Sequence, residues 1–183
     1  MSRPSFPWEA GVLYLAIDPA QRVSAVAWRG VSKESGRISC GTAMTPDILD
    51  AHEVEKLLRR IGDDFLWDRV ILGVEYPTWN AGASQTVRAA ANSYVRLVRR
   101  VFPKVDVIKI DPNKWQATFS FKNRKAGQST KDFSLWVATT VYGWAVGGEH
   151  DRADAALILE HVRANPPAPK VKKVKKKAAP RRP

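Results

Sequence analysis

The stretch Leu13 to Trp28, LYLAIDPAQRVSAVAW, decides the fold. An apolar run ends in a carboxylate, Asp18, and a Pro-containing turn follows. A second run then sets Val23, Ala25 and Ala27 against Ser24, Val26 and Trp28, so the pair reads as a β-hairpin. Asp18 has two readings. It opens an Asx turn before Pro19, or it is a functional carboxylate at the end of a strand that is otherwise apolar. Burying such a group is costly unless a cation or hydrogen-bond donor meets it. Taken alone, the turn is the simpler reading. The balance changes because a carboxylate again closes an apolar run at Glu75, and two more acids, Asp151 and Asp154, stand near the end of the chain.

Outward from the hairpin, Gly36 to Met44 reads as a third strand, with Cys40 in its alternating pattern. Thr45-Pro46-Asp47 carries the signals of a helix start, and Leu49, Val54, Leu57, Leu58 and Ile61 recur at helical spacing. DRVILGVE, Asp68 to Glu75, is a continuous apolar run, as expected of a strand buried on both faces in the parallel part of a mixed sheet. Ala83 to Phe102 predicts a long helix rich in small residues that packs on the sheet or pairs with a copy of itself. Val105 to Ile110 predicts another strand. Asp111-Pro112 caps a short helix with Lys114, Trp115 and Phe119, and Ser120 to Gln128 reads as a basic loop. Ser129-Thr130-Lys131-Asp132 opens a helix to about Trp144. After Gly147-Gly148, a last helix ends before Asn165. The expected architecture is α/β: a mixed five-stranded sheet, three antiparallel strands then parallel ones, flanked by helices.

The 183 residues are 44% hydrophobic, enough for one core. We expect an N-terminal extension over residues 1–10, one domain over 11–165, and a disordered basic tail over 166–183. The net charge of +12 and pI near 10.1 point to a polyanionic partner. Eight of those charges (Lys170, Lys172, Lys173, Lys175, Lys176, Lys177, Arg181, Arg182) lie in the tail, leaving +4 for the rest. A single cysteine excludes an internal disulfide and fits a reducing compartment. With no apolar run near the ~20 residues of a membrane span and no apolar core at the N-terminus, the expectation is a soluble, cytoplasmic protein that does not associate with membranes.

Asp151 and Asp154 are three apart and so share one helix face. Charge capping of the helix N-terminus explains one of them. Alanines at 153, 155 and 156 keep that helix slim where it would meet the strands bearing Asp18 and Glu75. Carboxylates brought together repel one another unless a cation intervenes. Oxygen-only ligands suit Mg²⁺, with Mn²⁺ as a substitute. Two such ions about 4 Å apart per site suit phosphodiester hydrolysis. Lys114, Lys122, Arg124, Lys125 and Lys131, interleaved with Trp115, Phe119 and Phe121, read either as a surface that tracks phosphates and stacks bases or as a solvated loop with its aromatics in the core. Trp28, Trp67, Trp136 and Trp144 lie in apolar patterns and are expected in the core. His150, next to the acids, is expected in a capping or supporting role.

The element order, together with LAIDPA, VILGVEYP, the basic stretch ending in Ser129-Thr130-Lys131, and HDRADA, resembles the ribonuclease H-like superfamily. Within it the chain is similar to RuvC-type Holliday junction resolvases of the phage-encoded kind, over roughly Gly11 to Arg163. The resemblance implies that Asp18, Glu75, Asp151 and Asp154 ligate the metals, with Asp18 bridging. It implies Lys131, and after it Lys125, near the scissile phosphate, and Trp79 or Tyr76 as the aromatic that enters the junction. It further implies a crossover-junction endodeoxyribonuclease of DNA recombination and repair. Such an enzyme is a homodimer on four-way DNA, makes paired symmetric nicks, leaves 5′-phosphate and 3′-hydroxyl ends, and needs no small-molecule cofactor. The alternatives are a ribonuclease H or transposase-like nuclease of the same fold acting on hybrid or branched nucleic acid, and a non-catalytic nucleic-acid-binding module. An actin-like ATPase or sugar kinase would need a glycine-rich phosphate turn after the first strand, and Pro19-Ala20-Gln21-Arg22 has none.

Overall fold

The structure is a computed structural model that describes residues 11–78 and 82–168. The expectations for residues 1–10, for Trp79 and for the tail beyond residue 168 lie outside the described residues.

Strand β1 (Val12–Asp18) is central because it is apolar on both faces. Leu13, Leu15 and Ile17 enter one core, and Tyr14 and Ala16 enter the other. It pairs antiparallel with β2 (Ala25–Ser32), which pairs antiparallel with β3 (Ile38–Met44). On its other side β1 pairs parallel with β5 (Arg69–Glu75), which pairs parallel with β6 (Asp106–Ile110). The sheet order is β3-β2-β1-β5-β6, with β4 (Phe65–Leu66) paired to Val31 and Ser32 at the end of β2. The sheet thus has six strands where five were expected, because a two-residue strand is too short to leave a periodic signal.

Helices cover both faces. α1 (Ala51–Asp63) and α2 (Gly82–Val101) lie over the core formed by Leu13, Leu15, Ile17, Leu72 and Val74. α3 (Pro112–Thr118), α4 (Thr130–Trp136) and α5 (His150–Ala164) lie over the core containing Tyr14, Ala16 and Ile71. The apolar stripe of α2, which includes Ala91, Tyr94, Val95 and Val98, is used in its own core, and its Arg96, Arg99 and Arg100 face outward.

Two local expectations are corrected. Thr45-Pro46-Asp47 does not start α1. The buried Thr45 hydroxyl accepts from the Ser24 amide at 3.0 Å and bonds the Tyr94 hydroxyl at 2.7 Å, while Asp47 pairs with Arg22 at 2.5 Å. These long-range contacts override the local signal, and Asp50, accepting from the Glu53 amide, is the cap. Of the tryptophans expected in the core, only Trp144 is fully buried. Trp28 is half-buried, Trp67 is 38% exposed and Trp136 is 49% exposed. An apolar neighbourhood in sequence does not fix which way a large ring at the rim of a core will face. No helix among the described residues is long and apolar enough to cross a membrane.

Candidate active site

The parallel register of β1 and β5 sets the first two carboxylates. Ile17 is opposite Val74, so Asp18 and Glu75 each follow directly and stand at the same end of adjacent strands. With a side-chain period of two, both lie on the face of Ala16 and Gly73, beneath α5. Glu75 is half-buried, and its Oε2 accepts a hydrogen bond of 2.8 Å from Trp115 Nε1. Trp115 is 2% exposed. Of its two sequence readings, the core one is correct, and the ring cannot stack on a base.

α5 brings the second pair of acids. Gly147 and Gly148, with φ of 63° and 81°, turn the chain into its first residues. Ala153, Ala155 and Ala156 are fully buried, and α5 sits so close to β5 that a Cβ on Gly73 would meet Val162 Cγ2 at 2.5 Å. Arg152, between the two acids in sequence, turns away from them. It donates to Thr42 Oγ1 at 2.9 Å and to the carbonyls of Thr42 and Ala145 at 3.0 and 3.3 Å, tying the start of α5 to β3. Asp151 and Asp154 therefore remain on the side toward α4. There Lys131 Nζ stands 3.8 Å from Asp151 Oδ1, and the buried Ser134 lies beside Asp154.

The acids share one electrostatic field. Burial holds the Asp18 carboxyl well above the usual carboxylate range, reinforced by the charges of Glu75, Asp154 and Asp151 and opposed by Lys131. Burial likewise raises Glu75 to about 7; the Trp115 hydrogen bond opposes the rise, and Asp154 and Asp111 add to it. Asp154 is raised to about 6, again chiefly by burial, with Ser134 opposing, Asp151 adding, and Lys131 and His150 opposing. Four carboxylates from β1, β5 and α5, with one lysine from α4, thus face a common space.

The donor set fits a hard divalent cation: it is carboxylate oxygen, and Asp154 Oδ1 is buried without a hydrogen-bond partner. Nδ1 of the neighbouring His150 is also buried without one. Among the described residues, no three acid, histidine or cysteine side chains are already drawn into a cluster tight enough to hold an ion.

The remaining sequence candidates are dispersed. Tyr76 follows Glu75 and is half-buried, its ring under Lys109 Nζ at 3.9 Å. Asp111 accepts from the Thr78 hydroxyl and, at 2.9 Å, from the Asn113 amide, so it caps α3 as expected while holding the segment after Glu75. Lys114 is exposed on α3, where its charge helps lower the pKa of His161, chiefly depressed by burial. Lys122, Arg124 and Lys125 are exposed on the connection to α4, and Arg124 donates to the Phe121 carbonyl at 3.1 Å. None of these four is among the charges acting on Asp18, Glu75 or Asp154. Sequence reasoning missed Trp115 as the partner of Glu75, Arg152 as the anchor of α5, and Ser134 beside Asp154. An arginine between two acids on a helix face was the one local signal available.

No protein-family model matches the sequence, and no curated protein matches it. Among solved structures, Thermus thermophilus RuvC in complex with a Holliday junction substrate superposes with a TM-score of 0.54 at 12% identity, over 84% of this chain and 96% of that one. A second structure of Thermus thermophilus RuvC gives 0.49 at 12% identity, over 84% and 96%. The Fowlpox virus resolvase with Holliday junction DNA gives 0.42 at 12% identity, over 84% and 95%. At this identity the first likeness shows the fold. The chain has a ribonuclease H-like fold, with the mixed sheet flanked by helices that the sequence led us to expect.

Proposed function

We propose that this ribonuclease H-like chain is a Mg²⁺-dependent endonuclease of branched DNA that resolves four-way junctions by paired symmetric nicks. The observation that carries this reading is the common field of Asp18, Glu75 and Asp154, which come from two parallel strand ends and the last helix. Divalent ions held by Asp18, Glu75, Asp151 and Asp154 would neutralise the phosphate and activate the attacking water. Trp115 fixes the orientation of Glu75. Lys131 places a positive charge beside Asp151 and offsets the charge that develops on the non-bridging phosphate oxygens. In-line attack of water on phosphorus breaks the P–O3′ bond, leaving a 5′-phosphate and a 3′-hydroxyl.

Symmetric nicks need two sites, so the working unit is a two-fold homodimer. The basic residues of the α3–α4 connection guide the DNA backbone. The lysine-rich segment after residue 165 is an arm that binds any DNA through counterion release. The enzyme works in the cytoplasm.

A nicking assay in Mg²⁺ with a mobile junction, a Y-fork, linear duplex and an RNA/DNA hybrid tests the reading. Preference for the junction, lost in Asp154→Asn, is expected. Preference for the hybrid would indicate a ribonuclease H, and undiminished nicking by Asp154→Asn would overturn the proposed metal site. A monomer at moderate salt would overturn the paired-nick scheme.

A further inference from the structure

A concave site of about 520 Å³ opens between the α3–α4 connection, α4 and the turn that follows it. It lies within the roughly 300–1,000 Å³ typical of small-ligand sites. Its walls are rings and aliphatic groups: Phe119, Phe133, Trp136, Val137, Val141 and Tyr142. Its polar groups are Thr118, Ser120, Asn123, Gln128 and Lys125, and no carboxylate lines it. Trp136 and Val141 are 49% and 56% exposed at its rim. The helix after α4 widens to a π-turn over Val137–Val141, a form that recurs at functional sites. On the opposite wall Ser120 holds a left-handed φ of 57°.

We propose that this site receives one unstacked nucleobase of the DNA strand held at the carboxylates, an inference that rests on the nuclease reading for its strand but not for its binding chemistry. Aromatic faces accept any base, the two carboxamides match the donors and acceptors of a base edge, and Lys125 stands where a flanking phosphate would pass. Charge favours this occupant over an apolar peptide or lipid, since residues 112–131 carry Lys114, Lys122, Arg124, Lys125 and Lys131 and no acid. Lys131 beside Asp151 and Trp136 at the cleft stand on the same short helix, α4. A relay of rings joins the two sites: Trp115, the partner of Glu75, meets Phe121 at 5.3 Å, Phe121 meets Phe133 at 4.9 Å, and Phe133 meets Trp136 at 5.8 Å.

The test is equilibrium binding of the full chain in EDTA to a fluorescently labelled ten-nucleotide oligo-dT and to an abasic ten-mer of equal charge. Without Mg²⁺ the result does not depend on whether the chain cleaves DNA, so it is separable from the nicking assay. Wild type should prefer oligo-dT by roughly tenfold, as stacking of one base on an aromatic ring provides. Trp136→Ala should bring the ratio near unity with abasic affinity unchanged, and Trp136→Phe should keep most of it. Val141→Glu, a change at the exposed rim, should reduce the ratio independently. Equal affinity of the wild type for both probes, or a ratio that survives both Trp136→Ala and Val141→Glu, would overturn the proposal.

Discussion

Trp115 Nε1 donates to Glu75 Oε2 across 2.8 Å, joining a ring sealed in the core beneath α5 to a carboxylate at the end of β5. Because this hydrogen bond favours ionised Glu75, its loss should move the carboxyl further above about 7. In EDTA, Trp115→Phe is expected to shift the Glu75 titration profile, followed by carboxyl-resolved NMR, to higher pH, and in Mg²⁺ to lower the nicking rate. A lower rate with an unmoved profile would show that the ring only fills space.

Asp18→Asn and Asp154→Asn should each reduce nicking by at least about a hundredfold while leaving affinity for junction DNA within a few-fold, because a carboxamide keeps the volume and loses the anionic ligand. Lys131→Met should cost roughly 10–100-fold through the lost charge near the phosphate, and Lys131→Arg should recover part of it. Gel-based nicking and binding on the same preparations separate the two effects.

The raised carboxylates make a signed prediction for stability. Glu75 and Asp154 sit at about 7 and about 6 in the fold, against ordinary values of 4.5 and 3.8. Between roughly pH 4 and pH 7 the folded chain therefore holds protons that the unfolded chain has released, and stability falls as pH rises through that window. In EDTA the thermal midpoint should decline from pH 5 to pH 8, and Glu75→Gln should be more stable than wild type at pH 8 but not at pH 5. Mg²⁺ at pH 8 should raise the wild-type midpoint and have less effect on Glu75→Gln. A wild-type midpoint in EDTA that rises from pH 5 to pH 8 would contradict the burial, and with it the repulsion, that raises these acids.

Gly73 sets how near α5 approaches the sheet. An added Cβ would meet Val162 Cγ2 at 2.5 Å and both Ile110 Cδ1 and Ile158 Cγ2 at 3.3 Å. Gly73→Ala should destabilise by about 1–3 kcal/mol, a fall of several degrees in melting temperature for a chain of this size. It should also lower nicking below what the stability loss explains, because it displaces Asp154 from Glu75. A melting temperature equal to wild type would show that α5 yields without strain.

The mixed sheet and the order of its five longer strands were legible in the sequence, because a buried strand must be apolar and a carboxylate closing it stands out against that run. Asp18 and Glu75 also needed no tertiary information beyond strand pairing, since a parallel register brings equivalent ends together. The sequence could not determine which polar group meets each acid. Trp115, Ser134 and Arg152 act across 40, 20 and 110 residues of chain respectively, and no local pattern encodes a hydrogen bond made through space. The start of α1 was misplaced for the same reason, since Thr45 satisfies Ser24 and Tyr94 instead of capping a helix. The exposure of Trp136 was likewise decided only in the fold, where the ring lies at the rim of a cavity instead of inside the core.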